Sequence, residues 1–302
     1  MTKVFIDGSS GTTGLRIHER LQDRDDIELI RLEESVRKDA ESRRKALNQA
    51  DIAFLCLPDA ASIEAVAMVD TDTVIIDTST AHRTSDAWAY GFPEIGNNRE
   101  MIAKSSRIAN PGCHASGFIA LVAPLVEKGI IGKDTILSCT SLTGYSGGGK
   151  KMIEQYQATD DALLRAPRAY GLTQKHKHIP EMMKVCGLNV QPTFCPIVAP
   201  YYSGMEVIVS LITDRQDDIK DTYASYYDGK VIRYKEGADE EGFMSAIRMS
   251  GRDDMEITVQ GNGSNVLLIS RFDNLGKGAS GAAIQNMNIS MGVEETRGLI
   301  TE

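Results

Sequence analysis

The sequence predicts an α/β chain in which a doubly wound parallel sheet is followed by a second domain built on a mostly antiparallel sheet. Three observations predict it. The first eighty residues alternate strand-like with helix-like text. Two strands of that stretch, Ile52–Leu57 and Val74–Asp77, are apolar along their length, as strands buried between two helical layers must be. Beyond about Gly112 the text becomes a series of strands joined by loops bearing Gly and Pro. A length of 302 residues suits two domains of roughly 150 residues each, enough to bury a proper core.

In chain order, Val4-Phe5-Ile6 is a short apolar run closed by Gly8, Leu15–Leu21 reads as a helix, and Ile27–Leu32 as the second strand. Lys38–Gln49, rich in Ala, Arg, Glu and Lys, is a solvated helix by propensity. Pro58, which lacks an N–H donor, stops the Ile52–Leu57 strand. A helix from about Ala60 to Val69 precedes Val74–Asp77. After Gly112 one apolar helix, Ala115–Glu127, leads into strands at Thr135–Ser141, Phe194–Val198, Met205–Thr213 and Glu256–Gln260, with few helices between them. Ala279–Met291, behind Gly276 and Gly278, is a final helix. The sequence holds no internal repeat and no low-complexity tract.

Composition narrows the partners. With 33 Lys+Arg against 42 Asp+Glu the net charge is −9, which disfavours nucleic acid and anionic membrane as default ligands. No apolar run approaches the ~18–20 residues of a membrane span. The N-terminal text MTKVFIDG enters a strand at once, without a basic or apolar leader, so a cytoplasmic protein is expected. Five cysteines, Cys56, Cys113, Cys139, Cys186 and Cys195, form an odd set without paired spacing and read as reduced thiols.

Gly8-Ser9-Ser10-Gly11-Thr12-Thr13-Gly14 follows the first strand and opens the first helix. Gly8, Gly11 and Gly14 permit a tight turn and a close approach of backbone to a pyrophosphate, which the free N–H groups of the helix start would bind. The G-x-x-G-x-x-G spacing differs from the commoner G-x-G-x-x-G, so the motif alone is weak; its place straight after an N-terminal strand favours a dinucleotide site over a flexible strand-to-helix turn without a ligand. The second strand ends without an Asp or Glu to grip a ribose 2′-hydroxyl. Ser35, Arg37 and Lys38 offer a hydroxyl and two cations instead, favouring NADP over NAD; Glu33 and Glu34 oppose this if they face the pocket.

Asn110-Pro111-Gly112-Cys113-His114 is the sharpest local text. Pro and Gly fix a turn that sets Cys113 at a helix N-terminus, where a thiolate is stabilised and becomes a nucleophile. The other four cysteines sit in apolar or strand text and read as core residues. In His176-Lys177-His178-Ile179-Pro180-Glu181, one imidazole can shuttle a proton while Glu181 orients it. No further ligand pair at metal spacing accompanies the two histidines, so no metal is expected. His18, His82 and His114 read as structural. Ser141–Lys150, dense in backbone N–H groups and hydroxyls and ending in one cation, suits an anionic group, phosphate above all.

The chain resembles the N-acetyl-γ-glutamyl-phosphate reductases of the short-chain type, within the aspartate-semialdehyde dehydrogenase-like group. The resemblance runs nearly end to end, through GSSGTTG (8–14), CLPD (56–59), DTSTAHRT (77–84), YGFPEI (90–95), NPGCHASG (110–117), YSGGGK (145–150), HKHIPE (176–181) and NLGKGASGAAIQN (274–286). The family more often has an aromatic residue at the position of His114 and Thr at that of Ser116. The resemblance implies a glyceraldehyde-3-phosphate dehydrogenase-like two-domain subunit. A Rossmann-like NADP domain would comprise residues 1–112 and 276–302, and an α+β catalytic and oligomerisation domain residues 113–275. It implies reduction of N-acetyl-L-glutamyl 5-phosphate to the 5-semialdehyde with NADPH, through a thioester on Cys113, and a homo-oligomer, dimer or tetramer. His176 or His178 would be the proton shuttle and Glu181 its orienting carboxylate. Leu57, Pro58, Ser79 and Gly278 join Ser10, Thr12 and Thr13 at the cofactor; Ser146, Gly147 and Lys150 would hold the phosphate, with Asn110 and Arg83 as further substrate contacts.

The rival readings are a sister reductase acting on aspartyl or aminoadipyl phosphate, a non-catalytic NADP-binding regulator, and a thiol hydrolase or acyltransferase. The regulator should have lost the thiol or the histidines, and all three are present. The hydrolase would need no nucleotide.

Overall fold

The computed structural model describes residues 1–158 and 160–301. The chain divides into two compact units: Met1–Pro111 with Ala279–Leu299, and Gly112–Gly278 with Ile300 and Thr301.

In the first unit the order is β1 (Thr2–Asp7), α1 (Thr12–Leu21), β2 (Ile27–Ile30), α2 (Ala40–Gln49), β3 (Ile52–Leu55), α3 (Asp59–Ala67), β4 (Val74–Asp77), β5 (Ala89–Tyr90), α4 (Asn98–Lys104) and β6 (Arg107–Ala109). The six strands form one sheet in the order β2-β1-β3-β4-β6-β5, and every pairing is parallel. Period-2 alternation sorts the core onto two faces. Val4, Ile6, Ile52, Phe54 and Ile76 pack with Ile17 and Leu21 of α1, Ile102 of α4, and Ile284 and Met287. Phe5, Ala53, Leu55 and Ile75 pack with Ala46 and Leu47 of α2 and Ala65 of α3. Both faces are covered, as the doubly apolar strands require. The chain leaves β1 to one side for β2 and returns across it to β3, so the carboxyl ends of β1 and β3 form the crevice in which open α/β sheets take ligands.

The second unit begins with α5 (Cys113–Glu127), followed by β7 (Ser138–Gly144), α6 (Gly149–Ala158), β8 (Arg168–Ala169), α7 (Ile179–Cys186), β9 (Thr193–Ala199), β10 (Met205–Ile212), α8 (Gln216–Tyr226), β11 (Ile232–Tyr234), β12 (Met255–Asn262) and β13 (Asn265–Phe272). The last helix, α9 (Gly281–Ser290), returns to the first unit. The seven strands form one mixed sheet, β11-β12-β13-β10-β7-β9-β8. It is antiparallel except where β11 meets β12 and β7 meets β9. Residues 114–125 of α5 are all buried, which explains a helix apolar on every side.

Three expectations change. The second unit is not poor in helices. Short α7 is hidden in a histidine-rich loop text and marked only by Pro180 in its first turn. α8 is largely polar, with Asp217 and Asp218 in its first turn, so no apolar stripe announces it. β13, with buried side chains from Leu268 to Phe272, was not anticipated as a separate strand. The division also falls at 111/112 and 278/279, and Ile300 groups with the second unit. There Ile300 N donates to Asp253 Oδ2 and Asp253 N to Ile300 O, each at 2.8 Å.

Candidate active site

Cys113 is the first residue of α5, behind the cap Gly112 in extended conformation. The first N–H groups of a helix have no intrahelical acceptor and point outward from its start. Ser116 N donates to Gly112 O at 2.8 Å, closing the first turn. Gly112 N donates to Glu181 Oε1 at 2.9 Å, and Glu181 is only 1 % exposed. The carboxylate expected to orient an imidazole therefore fixes the turn that presents the thiol. On the other side Gly278 leaves no room for a side chain: a Cβ there would lie 3.0 Å from Cys113 Cβ and 3.1 Å from Asp273 O. Gly278, expected at the cofactor, belongs to the second unit and shapes the seat of Cys113.

His176 and His178 stand ring to ring with 4.8 Å between centroids. His178 is buried at the N-cap of α7, and Glu181 lies one turn further on. His176 is half-buried against Phe194, centroids 5.2 Å apart. Between them and the sheet lies His114, read from sequence as structural. Its ring is 5.6 Å from both other imidazoles. Its Nδ1 meets Ser141 Oγ at 2.7 Å and its Nε2 meets Tyr170 Oη at 2.7 Å. Burial, followed by the Cys113 charge, raises the Tyr170 phenol above its ordinary value. Ser141 and Tyr170 were missed because they lie 27 and 56 residues from His114 in sequence.

Of the expected anion clasp, Ser146 is buried and its Oγ accepts from Asn274 Nδ2 at 3.0 Å. Gly147 is exposed in the 3-10 turn Tyr145–Gly148, and Lys150 is exposed at the start of α6. Asn110 and Arg83 belong to the first unit. Asn110 Nδ2 donates to Ala279 O at 3.0 Å, and its Oδ1 accepts from Asn286 at 3.1 Å. Arg83 donates to Asn110 O at 2.9 Å and Thr78 O at 2.7 Å. Both residues brace the chain at the end of β6.

The first unit holds a cleft of about 500 Å³ at the carboxyl ends of β1 and β2. Gly8, Ser10, Arg37, Lys38 and Leu57 line it as expected, joined by His18, Arg31 and Arg43. Gly8 has φ +86°, and a Cβ there would fall 2.3 Å from Cys56 O; one on Gly14 would fall 2.5 Å from Gly8 O. Gly11 caps α1, and Thr12 and Thr13 begin it. Thr12 Oγ1 is buried with no hydrogen-bond partner among the described residues. Arg43 is spent on Asp7 through two nitrogens, at 3.0 and 2.8 Å, and Arg37 pairs with Glu34 at 3.2 Å. Among the described residues Arg31 and Lys38 have no ion-pair partner. Ser35 is exposed and off the cleft wall, turned out by the bend that Val36 N closes onto Glu33 O. Pro58 caps α3, and Ser79 donates to Asp77 Oδ2 at 2.7 Å; neither lines the cleft.

Burial, followed by the charges of His176 and Lys177, pushes His114 down to about 3. Burial and Lys177 push His176 down to about 4. Unfolded, both would protonate near the ordinary 6.5. A depressed folded value means the unfolded chain takes up the proton first. The stability these neutral rings contribute is therefore complete above about pH 6.5 and is lost as pH falls toward 4 and 3. Urea unfolding between pH 7 and 4.5 should lose up to about 1.4 kcal/mol per pH unit from fully buried His114. His114→Phe should flatten that slope, and an equal slope in the variant would remove His114 as its source.

Residues 3–105 match the family model for the semialdehyde dehydrogenase NAD binding domain, and residues 113–274 that for the semialdehyde dehydrogenase dimerisation domain. N-acetyl-gamma-glutamyl-phosphate reductase 2 of Nostoc sp. is 42% identical over 318 residues, 98% of this chain and 99% of that protein. Its namesake in Pseudomonas putida is 40% identical over 310 residues, 98% of each. Among solved structures, aspartate semialdehyde dehydrogenase II of Vibrio cholerae superposes with TM-score 0.73 at 20% identity, over 96% of this chain and 98% of that one. An aspartate semialdehyde dehydrogenase of Candida albicans, solved with NADP, gives 0.70 at 15%, again over 96% and 98%. With both family models matched in turn along the chain and relatives 40–42% identical over nearly the whole length, the chain that carries this cysteine-led helix, histidine cluster and glycine-lined cleft belongs to the semialdehyde dehydrogenase family, among its N-acetyl-γ-glutamyl-phosphate reductases.

Proposed function

We propose that this chain reduces N-acetyl-L-glutamyl 5-phosphate to N-acetyl-L-glutamate 5-semialdehyde and phosphate with NADPH, a step of arginine biosynthesis. The observation that carries it is the placement of Cys113 at the head of α5, on a turn held by Glu181, with His176 and His178 at the head of α7. Those residues suit acyl transfer through a thiol. Cys113 Sγ attacks the acyl carbonyl, the carbon–oxygen bond to phosphate breaks, and phosphate departs with that electron pair, leaving a thioester on Cys113. Ser146 and the backbone of Gly147, with Lys150, are the residues proposed to meet the phosphate.

The first unit fits a dinucleotide. The glycine cradle admits backbone contact with a pyrophosphate, and among the described residues the buried Thr12 hydroxyl has no hydrogen-bond partner and the cleft residues Arg31 and Lys38 have no ion-pair partner. Those two cations favour the 2′-phosphate of NADP. When bound, NADPH supplies the hydride that reduces the acyl carbon. His178 is proposed to hold the proton that balances the oxygen as the thiol is released. A homo-oligomer is proposed as well, supported by the match of the second unit to a dimerisation domain. Among the described residues no helix is long and apolar enough to cross a membrane. A cytoplasmic location is proposed from this biosynthetic role.

The test presents N-acetylglutamyl, aspartyl and aminoadipyl phosphates in turn, each with NADPH or NADH. Turnover should be at least ~100-fold better in kcat/KM with the N-acetylglutamyl compound, since buried polar groups reject an analogue lacking their partner. NADPH should be preferred over NADH, and Lys38→Ala should narrow that preference. Turnover of aspartyl phosphate alone would overturn the substrate, and equal use of NADH would overturn the role given to Arg31 and Lys38.

A further inference from the structure

Resting on the function proposed above, we propose that His114 is a positioning residue whose ring, fixed by Ser141, turns Tyr170 into a hydrogen-bond donor toward the substrate at Cys113. Ser141 Oγ is fully buried on β7, and among the described residues its one hydrogen-bond partner is His114 Nδ1. A buried hydroxyl that accepted from Nδ1–H would leave its own proton without an acceptor. Ser141 therefore donates to Nδ1. A neutral imidazole carries one proton, and the ring at 2 % exposure is held neutral, so that proton sits on Nε2. Nε2–H then donates to Tyr170 Oη at 2.7 Å.

The phenol oxygen is thus an acceptor toward the interior, and its own O–H is left to donate elsewhere. Tyr170 is half-buried rather than sealed, and its hydrogen bond to His114 ties it to the residue that follows Cys113 in the first turn of α5. The reversed tautomer would consume that O–H on Nε2. One proton location on His114 thereby decides whether Tyr170 offers a donor or none to the oxygen that becomes negative when the thiolate attacks.

The proton can be read directly. The chain has only five histidines, so the 15N spectrum of histidine-labelled protein is simple, and a His114→Phe sample identifies the His114 signals. The expected spectrum shows Nε2–H with an unprotonated Nδ1 from pH 6 to 8. A protonated Nδ1 overturns the assignment, whatever the activity. Kinetics with N-acetylglutamyl phosphate read the consequence. Tyr170→Phe should lose about 100-fold in kcat/KM and Ser141→Ala about 10-fold. The double variant should lose no more than Tyr170→Phe alone, because both changes remove the same donor. His114→Gln, which retains one acceptor and one donor, should recover most of what His114→Phe loses. Losses that multiply in the double variant, or a Gln variant no better than Phe at equal Tm, would overturn the positioning role. An unmodified enzyme inactive on every acyl phosphate but showing Nε2–H would overturn the functional reading while supporting the tautomer.

Discussion

Cys113→Ala is expected to abolish turnover, by roughly 10⁴-fold or more in kcat, while the protein still folds and binds NADP. The expected size follows from what is removed. Without the sulfur no acyl-enzyme bond forms, and water or phosphate in the site lacks both the nucleophilicity and the fixed position of a thiolate at a helix start. Stability should change little. The substitution deletes one atom from a half-buried residue, and the turn is held by backbone: Gly112 N on Glu181 and Ser116 N on Gly112 O. Cys113→Ser is the sharper control, since it restores size and a hydrogen-bonding oxygen but not a sulfur nucleophile. Both variants should show unchanged NADP titration curves, because the glycine cradle of the first unit contains neither residue 113 nor its turn. Turnover of Cys113→Ala above about 1 % of the unmodified rate would remove the thioester pathway. Iodoacetamide supplies an independent reading: burial pushes Cys56 up to about 12 and raises Cys139 and Cys186 as well, and of the remaining two, Cys195 lies within β9 whereas Cys113 heads a helix, so alkylation should begin at Cys113.

The thiol was legible in the sequence because its chemistry is local. Asn-Pro-Gly before Cys113 predicts a turn, and the apolar run after it a helix, without knowledge of any distant residue. The parallel sheet was legible for a similar reason: the apolar text of Ile52–Leu55 survives on both faces. Partnerships between distant residues were not legible. Glu181 looks like an orienter of His178 from its spacing, yet its contact with Gly112 joins the starts of two helices 69 residues apart. Arg43 sits in an ordinary solvated helix by composition, and only the fold brings it to Asp7 at the end of β1. His114 reads as structural because a histidine in an apolar helix usually fills a core, and nothing local announces its two hydrogen bonds. Its neighbours Ser141 and Tyr170 come from β7 and the loop beyond β8. The bracing by Arg83 and Asn110 is likewise not legible from the motifs beside them: their donors hold carbonyls of their own unit.

The histidine pair should separate cleanly under substitution. His178→Asn is expected to cost ~10²–10⁴-fold in kcat, the range of a lost general acid–base group, and His176→Asn about 10-fold or less, felt chiefly in KM. Sequence alone treats the two as equivalent; their surroundings do not. His178 caps α7 and is buried on the same turn as Glu181, whose carboxylate binds the turn of Cys113. Residues three apart on a helix share a face, so the ring of His178 and the carboxylate that grips the thiol's turn point the same way. His176 lies outside that helix, edge-on to Phe194 and His114. Burial and Lys177 push it down to about 4, so near pH 7 it carries almost no charge and is a poor proton source. Its ring is suited to walling the site and to accepting a hydrogen bond, as it does from His178 N at 3.3 Å. The pH–rate profile decides between the two. The limb that reports the shuttle's ionisation should vanish in His178→Asn and persist in His176→Asn. A profile that loses its limb with His176 and keeps it without His178 would transfer the shuttle to His176. It would also mean that substrate binding relieves the burial, and with it the Lys177 charge, that hold this imidazole neutral.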